Sequence, residues 1–400
     1  MARGRRQSRR TEPLSIPVCE VAPEVADIFE LLKSRTVALM RPKDRFLAAL
    51  KRQPVDRVPI FDFLFQRPLF QELIGRTPNT YNARDAMDLT LAMGLDGIWV
   101  PYGCFSGWTP EKITERVYKD EWGTTFQQDA ASWPIDAPIA FPLRTRQDLR
   151  HYVPPDPMAD GRLDEINTAL ATSQKLGEKE VAVLGGVTGP FTVTWFLIGY
   201  ENICMNLYDD TGFLQELVEI SVDFAVKAIG RMARAGVDAM IVSDDYGASA
   251  QGLLRPQQFK SIYKPGLKKI VDCIKANNLP AFLHCCGRVY DYLDDLVEIG
   301  FEAYHPVQRT AGMDLATVKQ KYGDRICLVG NIDSSRTLPF GTPEQVEEET
   351  LEALRIAAPG YGYILASDHS LHDGIPVRNI LRMFDVARKH GVYPILDQAA

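Results

Sequence analysis

The sequence predicts a parallel (β/α)8 barrel of the TIM type, and three observations lead to this fold class. Eight short apolar segments alternate with amphipathic segments along the 400 residues, which is the pattern of parallel strands joined by helices. Polar side chains collect directly after the apolar segments rather than before them, as in barrels whose active sites lie at the carboxyl ends of the strands. The alternation leaves no break for a second domain, so residues 41–400 are expected to form one barrel behind an extension at 1–40.

The individual elements follow from apolar runs, helical spacing and the glycines that end helices. Strands are predicted at 58–63, 96–100, 181–186, 238–243, 280–283, 303–307, 326–330 and 363–366. Helices are predicted at 25–40, 42–50, 83–93, 163–175, 213–235, 259–276, 289–299, 315–322, 343–357 and 377–390. The segment 117–126 resembles a hairpin that turns at Trp122-Gly123, and it lies in an insertion between the second and third strands. This insertion and the extension account for the length beyond the ~250 residues of an ordinary barrel.

Composition excludes several functional classes. The formal net charge of −7 argues against a general nucleic-acid surface, and no apolar run approaches the ~18 residues that a membrane span requires. Five arginines lie within the first ten residues, but no apolar segment follows them, so we expect a disordered tail and no secretion signal. Seven scattered cysteines are typical of reduced cytosolic thiols, and a cytoplasmic location is expected.

A metal site is predicted around the end of the fifth strand, where an apolar run stops at His284-Cys285-Cys286. His284 and Cys286 are two residues apart, so on an extended strand their side chains share one face. His369 follows the eighth strand, and three protein ligands with one open position are the arrangement of catalytic zinc. Asp368 competes as third ligand. A buried histidine among inert core thiols remains the alternative, with His369 bound to a substrate or a loop instead.

Other polar and aromatic residues at the strand ends are candidates for chemistry and substrate binding. Asp244 and Asp245 are candidate acid, base or ligand-orienting groups, and because adjacent strand residues face opposite sides, at most one should point inward. Asp333 is a third candidate, although a turn-forming role is an equal alternative. The candidate substrate contacts are Tyr102, Phe191, Tyr246, Gln308 and Asn331, among rim aromatics that also include Phe105, Trp108, Trp195 and Phe196. These aromatics suit a flat, apolar substrate.

Five short motifs together resemble the uroporphyrinogen decarboxylase superfamily over most of residues 42–395. They are Asp56-Arg57-Val58-Pro59, Thr188-Gly189-Pro190-Phe191-Thr192, His284-Cys285-Cys286-Gly287, Gly330-Asn331-Ile332-Asp333 and Gly362-Tyr363-Ile364-Leu365. The resemblance implies a TIM barrel with one of two activities. One branch decarboxylates porphyrinogens without a metal, and the other contains zinc methyltransferases that exchange methyl groups with a corrinoid protein.

Two differences between this chain and the decarboxylases favour the methyltransferase branch. The decarboxylases have an arginine-rich stretch after the first strand, where this chain has 63–68, Phe-Leu-Phe-Gln-Arg-Pro. They also have an aspartate at the end of the second strand, where this chain has 100–103, Val-Pro-Tyr-Gly. The His284–Cys286 pair instead resembles the zinc motif of the methyltransferases.

A difference from the thiol-specific methyltransferases concerns the molecule that exchanges the methyl group. Thiol-specific members of the methyltransferase branch have a second cysteine where this chain offers His369. One thiolate and two neutral imidazoles leave a net charge of +1 on zinc, which favours polarising an ether oxygen over activating a thiol. The decarboxylases have a histidine near this position, so their activity stays open.

The resulting expectation is an O-demethylase that moves a methyl group from a methoxylated, aromatic small molecule to a Co(I) corrinoid. Since no corrinoid-binding segment is evident in the sequence, the cobalt is expected on a partner protein; a homodimer is left open. The alternatives are a metal-free decarboxylase, a methyl-corrinoid:thiol methyltransferase and a catalytically silent binding partner.

Overall fold

The computed structural model describes residues 39–103, 110–128 and 136–395. Within these residues, seven parallel strands form one sheet in the order β1-β6-β7-β8-β9-β10-β11. The strands are β1 Gly97–Pro101, β6 Ala182–Thr188, β7 Ala239–Ser243, β8 Ala281–His284, β9 Ala303–His305, β10 Cys327–Ile332 and β11 Tyr363–Ser367. All seven coincide with predicted strands to within two residues. The parallel α/β class is therefore confirmed.

The segment predicted as the first strand does not form a regular strand. Ile60 makes an isolated parallel bridge to Leu365 in β11, and its carbonyl accepts a hydrogen bond from Asp96 N, just before β1, at 2.9 Å. The segment thus hydrogen-bonds to both edges of the sheet. A ladder does not form because Pro59 has no N–H and the N–H of Ile60 donates to the Asp96 carboxylate at 2.8 Å. The sheet of the described residues therefore has seven regular strands, and the predicted count of eight is not confirmed.

Helices cover the sheet between successive strands. Their bounds are α1 Pro42–Leu50, α2 Arg67–Ile74, α3 Ala83–Met93, α4 Asp164–Gln174, α5 Pro190–Ile198, α6 Tyr200–Asp209, α7 Thr211–Ala235, α8 Pro256–Gln258, α9 Lys264–Ala276, α10 Leu293–Ile299, α11 Leu315–Tyr322, α12 Thr337–Phe340, α13 Pro343–Ala357 and α14 Val377–His390. No helix in the described part of the chain is long and apolar enough to span a bilayer. The helix predicted at 25–40 lies almost wholly outside the described residues, as do Phe105, Trp108 and the arginine-rich tail, so the domain boundary at residue 40 stays a prediction.

A separate antiparallel sheet occupies the stretch between β1 and β6. Its order is β2-β3-β4-β5, with strands β2 Glu111–Lys112, β3 Val117–Lys119, β4 Thr125–Gln127 and β5 Ala137–Ala140. The predicted hairpin is the β3–β4 pair, in which Tyr118 lies opposite Phe126. Its turn is held by the Asp120 carboxylate, which accepts the N–H of Thr124 at 2.7 Å.

A buried ion-pair network lies at the amino ends of the strands, opposite the polar tips. Arg45 contacts Asp56 at 2.5 Å and Asp96 at 2.7 Å, and Arg57 contacts Asp96 at 2.9 Å. Asp96 is fully buried, so its charge depends on these two guanidinium groups. The Asp56-Arg57 part of the family-like motif therefore stabilises the fold at the end of the sheet away from the candidate site.

Candidate metal and substrate site

The candidate site starts from the pairing of β8 with β9. In this parallel register His284 lies directly opposite His305, so the two side chains leave the sheet on the same face. The imidazole rings stack with centroids 4.9 Å apart, and the two Nδ1 atoms are 2.8 Å apart. Phe63 packs edge-on against both rings, at 5.1 and 5.2 Å. The ring of His284 is thereby fixed with its Nε2 atom free for another partner.

Cys286 and His369 complete a group of three metal-ligating side chains. The Sγ atom of Cys286 lies 3.2 Å from Nε2 of His284. One ligand atom from each of His284, Cys286 and His369 can be chosen so that all three lie within 4.8 Å of one another. His369 is oriented by a contact of 2.9 Å between its Nδ1 and Ser370 Oγ. The described residues therefore contain a compact His-Cys-His group at the carboxyl ends of β8 and β11.

The protonation of these residues suits a soft divalent metal. Burial lowers the pKa of His284 to about 4, with Asp245 acting in the opposite direction, and burial likewise lowers the pKa of His369. Both imidazoles are thus neutral and can donate a lone pair. Burial raises the pKa of the Cys286 thiol well above its usual value, so metal binding would have to displace its proton. One thiolate and two imidazoles are ordinary zinc ligands.

Of the two adjacent aspartates, Asp245 faces this group. Its Oδ1 accepts the N–H of Cys286 at 2.7 Å and lies 4.0 Å from Nε2 of His284. Two glycines allow this approach: a Cβ on Gly247 would meet Cys286 O at 2.4 Å, and one on Gly287, where φ is +79°, would meet Gly247 C at 2.4 Å. The loop after β7 can therefore lie directly against the loop after β8.

Asp244 points the other way and serves the fold. It is fully buried and accepts the N–H groups of Thr192 at 2.8 Å and Phe191 at 3.3 Å, which are the free donors at the start of α5. The hydroxyl of Tyr246 also donates to it. Burial raises the pKa of Asp244 to about 7, and these hydrogen bonds act in the opposite direction. Its position accounts for a structural role, and its catalytic role stays a prediction.

Asp333 and Asp368 also have structural partners. Asp333 Oδ1 accepts the N–H groups of Ser335 at 2.8 Å and Arg336 at 2.7 Å, which is the turn-forming alternative. Asp368 accepts Ser334 N at 2.8 Å and Arg309 N at 3.1 Å, so both of its oxygens are engaged away from Cys286. His369 rather than Asp368 is therefore the residue beside the His-Cys pair.

Four of the five predicted substrate contacts do not line the cavity beside this group. Phe191 and Tyr246 are fully buried and pack against each other with ring centroids 5.5 Å apart. Asn331 donates to Val307 O at 2.8 Å, and Gln308 accepts Gly287 N at 2.7 Å. Tyr102 does line the cavity. Local sequence does not separate the inner face of the sheet from the layer between sheet and helices, and the substrate contacts themselves stay predictions.

The cavity itself has a volume of about 150 Å³ and an aromatic wall. Its aromatic residues are Phe63, Phe65, Trp99, Tyr102 and Phe196, and its polar ones are Thr188, Thr192, Ser243, Asp245, His284, His369 and Ser370. Sequence reasoning missed Phe63, Phe65 and Trp99 as lining residues. The alternation Phe61-Phe63-Phe65 was the available signal, because residues two apart share a face. Asp245 is the one carboxylate among these lining residues, which include no lysine or arginine.

Larger grooves lie on the surface of the described residues, and two of them exceed 600 Å³. One of about 630 Å³ is lined by Arg309, Arg336, Phe340, Glu348, Glu349 and Arg355, and one of about 700 Å³ lies between α7 and α9. Neither is lined by a histidine or cysteine. The small cavity is therefore the one with chemistry beside it.

A parallel α/β protein with metal-ligating and aromatic residues at the carboxyl ends of its strands is the class that the fold and site define. Residues 135–390 match the model of the uroporphyrinogen decarboxylase (URO-D) family, and the chain belongs to this family. The predicted resemblance is confirmed.

Relatives of the chain include both branches. The methylcobamide:CoM methyltransferase MtaA of Methanosarcina barkeri is 28% identical over 332 residues, which cover 80% of this chain and 92% of that protein. The methylcobamide:CoM methyltransferase MtbA of Methanosarcina acetivorans is 24% identical over 87% of this chain and 98% of its own length. The uroporphyrinogen decarboxylase of Hydrogenovibrio crunogenus is 23% identical over 83% of this chain and 92% of its own length.

The solved structure of a methyltransferase from Methanosarcina mazei is similar in fold. It has a TM-score of 0.69, is 24% identical, and covers 88% of this chain and 99% of that one. This similarity supports the barrel-like architecture and does not indicate a substrate.

Proposed function

We propose that the protein is a zinc- and corrinoid-dependent methyltransferase that removes a methyl group from a methoxylated aromatic molecule. The observation that carries the proposal is the group formed by His284, Cys286 and His369, because His284 and His369 line a small cavity with aromatic walls. Zinc would be held by these three residues. The methyl group would pass to the Co(I) corrinoid of a partner protein, which fits the names of the methylcobamide-dependent relatives.

The cavity volume favours a substrate of one ring. A cavity of about 150 Å³ in another protein binds a single benzene molecule, and the present cavity has about the same volume. A tetrapyrrole has four rings and many carboxylates, and the described lining residues offer no cation for them. Both size and charge therefore disfavour the decarboxylase alternative.

The charge of the site favours a neutral methyl donor. A zinc ion with one thiolate and two neutral imidazoles has a net charge of +1, and the Asp245 carboxylate beside it brings the total to zero. When bound, zinc would polarise the ether oxygen and stabilise the phenolate that leaves. The Co(I) corrinoid of the partner would supply the electron pair for the new bond to the methyl group, and the oxygen would keep the pair of the broken carbon–oxygen bond.

The chain's own residues have separate roles in this scheme. The aromatic wall binds the ring of the substrate and excludes water from the reacting atoms. Asp245, a carboxylate held by the N–H of Cys286, is placed to take up a proton from solvent and pass it to the product oxygen after the methyl group has left. We propose further that the segment around Ile60 occupies the position of the eighth strand of the barrel. We also propose that the protein works in the cytoplasm.

Transfer from a methyl-corrinoid to a thiol is the second candidate, and it rests on the names of MtaA and MtbA. Their acceptor, coenzyme M, is an anionic thiol. The absence of a cationic side chain among the described residues of the cavity wall favours the neutral methoxy-aromatic donor instead.

Metal analysis and a methyl-transfer assay test the proposal. Wild-type protein should contain close to one zinc per chain, Cys286→Ala should lose it, and Cys273→Ala, which removes a thiol on α9, should keep it. With methoxybenzene derivatives and Co(I) cobalamin, wild type should form methylcobalamin and a phenol, and Cys286→Ala should not. Zinc far below one per chain in wild type, or CO₂ release from a porphyrinogen by metal-free protein, would contradict the proposal.

A further inference from the structure

Trp99 lines the cavity and lies directly against Gly186. In the register of β1 and β6, Trp99 pairs with Leu184, and Gly186 is two residues farther along β6, on the same face of the sheet. A Cβ on Gly186 would lie 2.1 Å from Nε1 of Trp99, 3.0 Å from Cε2 and 3.1 Å from Cδ1. These three atoms belong to the five-membered ring of the indole. The indole therefore occupies the space that a side chain at position 186 would need.

The glycine at position 186 provides space rather than backbone freedom. Gly186 lies inside a regular parallel strand and is not among the glycines with positive φ. A glycine within a strand often marks the close approach of another group. Its neighbour Gly185 faces the other side of the sheet, where a Cβ would meet Sδ of Met232 at 2.7 Å. An alanine at position 186 would thus press on the indole, whereas one at position 185 would press on a flexible thioether.

Three further aromatic rings contact the indole. The ring centroids of Phe63, Phe65 and Tyr81 lie 5.2, 6.1 and 5.7 Å from that of Trp99. The hydroxyl of Tyr81 also donates to the Trp99 carbonyl. Close-packed side chains leave little room for movement among themselves. An indole displaced from Gly186 would therefore move into the cavity, which has a volume of about 150 Å³.

The indole also lies near the candidate metal ligands. Phe63 packs edge-on against both Trp99 and His284, at 5.2 and 5.1 Å between ring centroids. A single phenyl ring thus separates the indole from His284, and both residues line the same cavity. A substrate ring beside His284 therefore shares its space with the indole.

We propose that Trp99, seated against Gly186, is a specificity-determining residue that limits the methyl donor to a single aromatic ring. The inference rests on the proposed function, because it takes this cavity as the substrate site. A benzene ring fits a cavity of this volume, whereas a second fused ring would have to take the place of the indole.

Isothermal titration with para-methoxyphenol and a methoxynaphthol compares one ring with two fused rings that carry the same groups. Wild type should bind the one-ring compound at least about 10-fold more tightly. Trp99→Leu should bind the two-ring compound about 10-fold more tightly than wild type does, because the shorter side chain opens the space of the indole. Loss of a residue that only supports the fold would instead weaken the binding of both compounds alike.

The two adjacent glycines offer a matched pair of variants. Gly186→Ala should weaken the binding of para-methoxyphenol by about 10-fold, and Gly185→Ala, which adds the same methyl group on the other face, should leave it unchanged. Combining Gly186→Ala with Trp99→Leu should restore binding, because leucine has no atom in the place of Nε1. Circular dichroism melting shows whether each variant is folded, and if Gly186→Ala is not, the comparison of wild type with Trp99→Leu decides.

The same preference for one ring in wild type and folded Trp99→Leu would overturn the inference. Wild type that binds both compounds equally, or neither of them, would also overturn it. The titrations need neither zinc nor corrinoid, so the two proposals fail separately. Wild type without zinc and without methyl transfer, but with a size preference that Trp99→Leu removes, would contradict the proposed function and support the role of Trp99.

Discussion

Substitution of Asp244 by asparagine should remove a specific part of the pH dependence of stability. In the folded protein burial raises the pKa of Asp244 from 3.8 to about 7, so the folded state binds its proton more tightly than the unfolded chain. Stability from this group is full below pH 3.8 and is lost as the pH rises through about 7. From pH 5.5 up to the folded-state pKa of about 7 stability falls over about one and a half pH units, at about 1.36 kcal/mol each, and above that pKa it falls no further. The loss between pH 5.5 and pH 8.5 is therefore about 2 kcal/mol.

Urea unfolding of wild type and Asp244→Asn at both pH values measures this pH-dependent contribution of Asp244 to the free energy of unfolding. Asparagine cannot ionise, so the free energy of unfolding of the variant lacks this loss. From pH 5.5 to pH 8.5 the free energy of unfolding of the variant should therefore rise by about 2 kcal/mol relative to that of wild type. Any constant cost of the new amide cancels in this comparison. Tyr246→Phe is the matched variant, because it removes a hydrogen bond that lowers the pKa of Asp244 and should move the loss to higher pH. A difference that does not change with pH would refute the reasoning.

Two further predictions concern the two ends of the parallel sheet. Asp96→Ala should destabilise the protein by about 3–5 kcal/mol, because it leaves Arg45 buried without one of its partners; thermal melting measures the loss, and zinc content per folded chain should not change. Gly287→Ala should lower zinc affinity strongly, because a Cβ there would meet Gly247 C at 2.4 Å and φ is +79°; chelator competition measures it, and equal affinity in a folded variant would contradict the close approach of the two loops.

Much of the fold was predictable because a parallel strand is a local feature of the sequence. A short apolar run that ends in polar residues marks such a strand wherever it occurs, and seven runs did so. The segment at 58–63 has the same apolar pattern, yet its hydrogen bonding depends on Pro59 and on the distant carboxylate of Asp96. No local pattern reports that a side chain 36 residues away takes the place of a strand partner.

The candidate site was predictable in part for a related reason. Alternation along a strand showed that Asp244 and Asp245 face opposite sides, but it could not say which one faces the cavity. That choice depends on α5, whose first N–H groups bind Asp244. The pairing of His284 with His305 was likewise out of reach, since it depends on the register of two strands.

The register of the parallel strands also explains why residues from distant parts of the chain line one small cavity. Thr188 pairs with Ser243, Ser243 with His284, and His284 with His305, so these four residues form one layer across β6, β7, β8 and β9. Side chains in one layer of a parallel sheet leave on the same face, and the first three of them line the cavity. His305, the fourth, is fully buried and its ring stacks on that of His284, so it contacts His284 and is not among the residues that line the cavity. A substitution that shifted the β8–β9 register by one residue would turn His284 to the opposite face and remove both the proposed ligand and its hydrogen-bond partner.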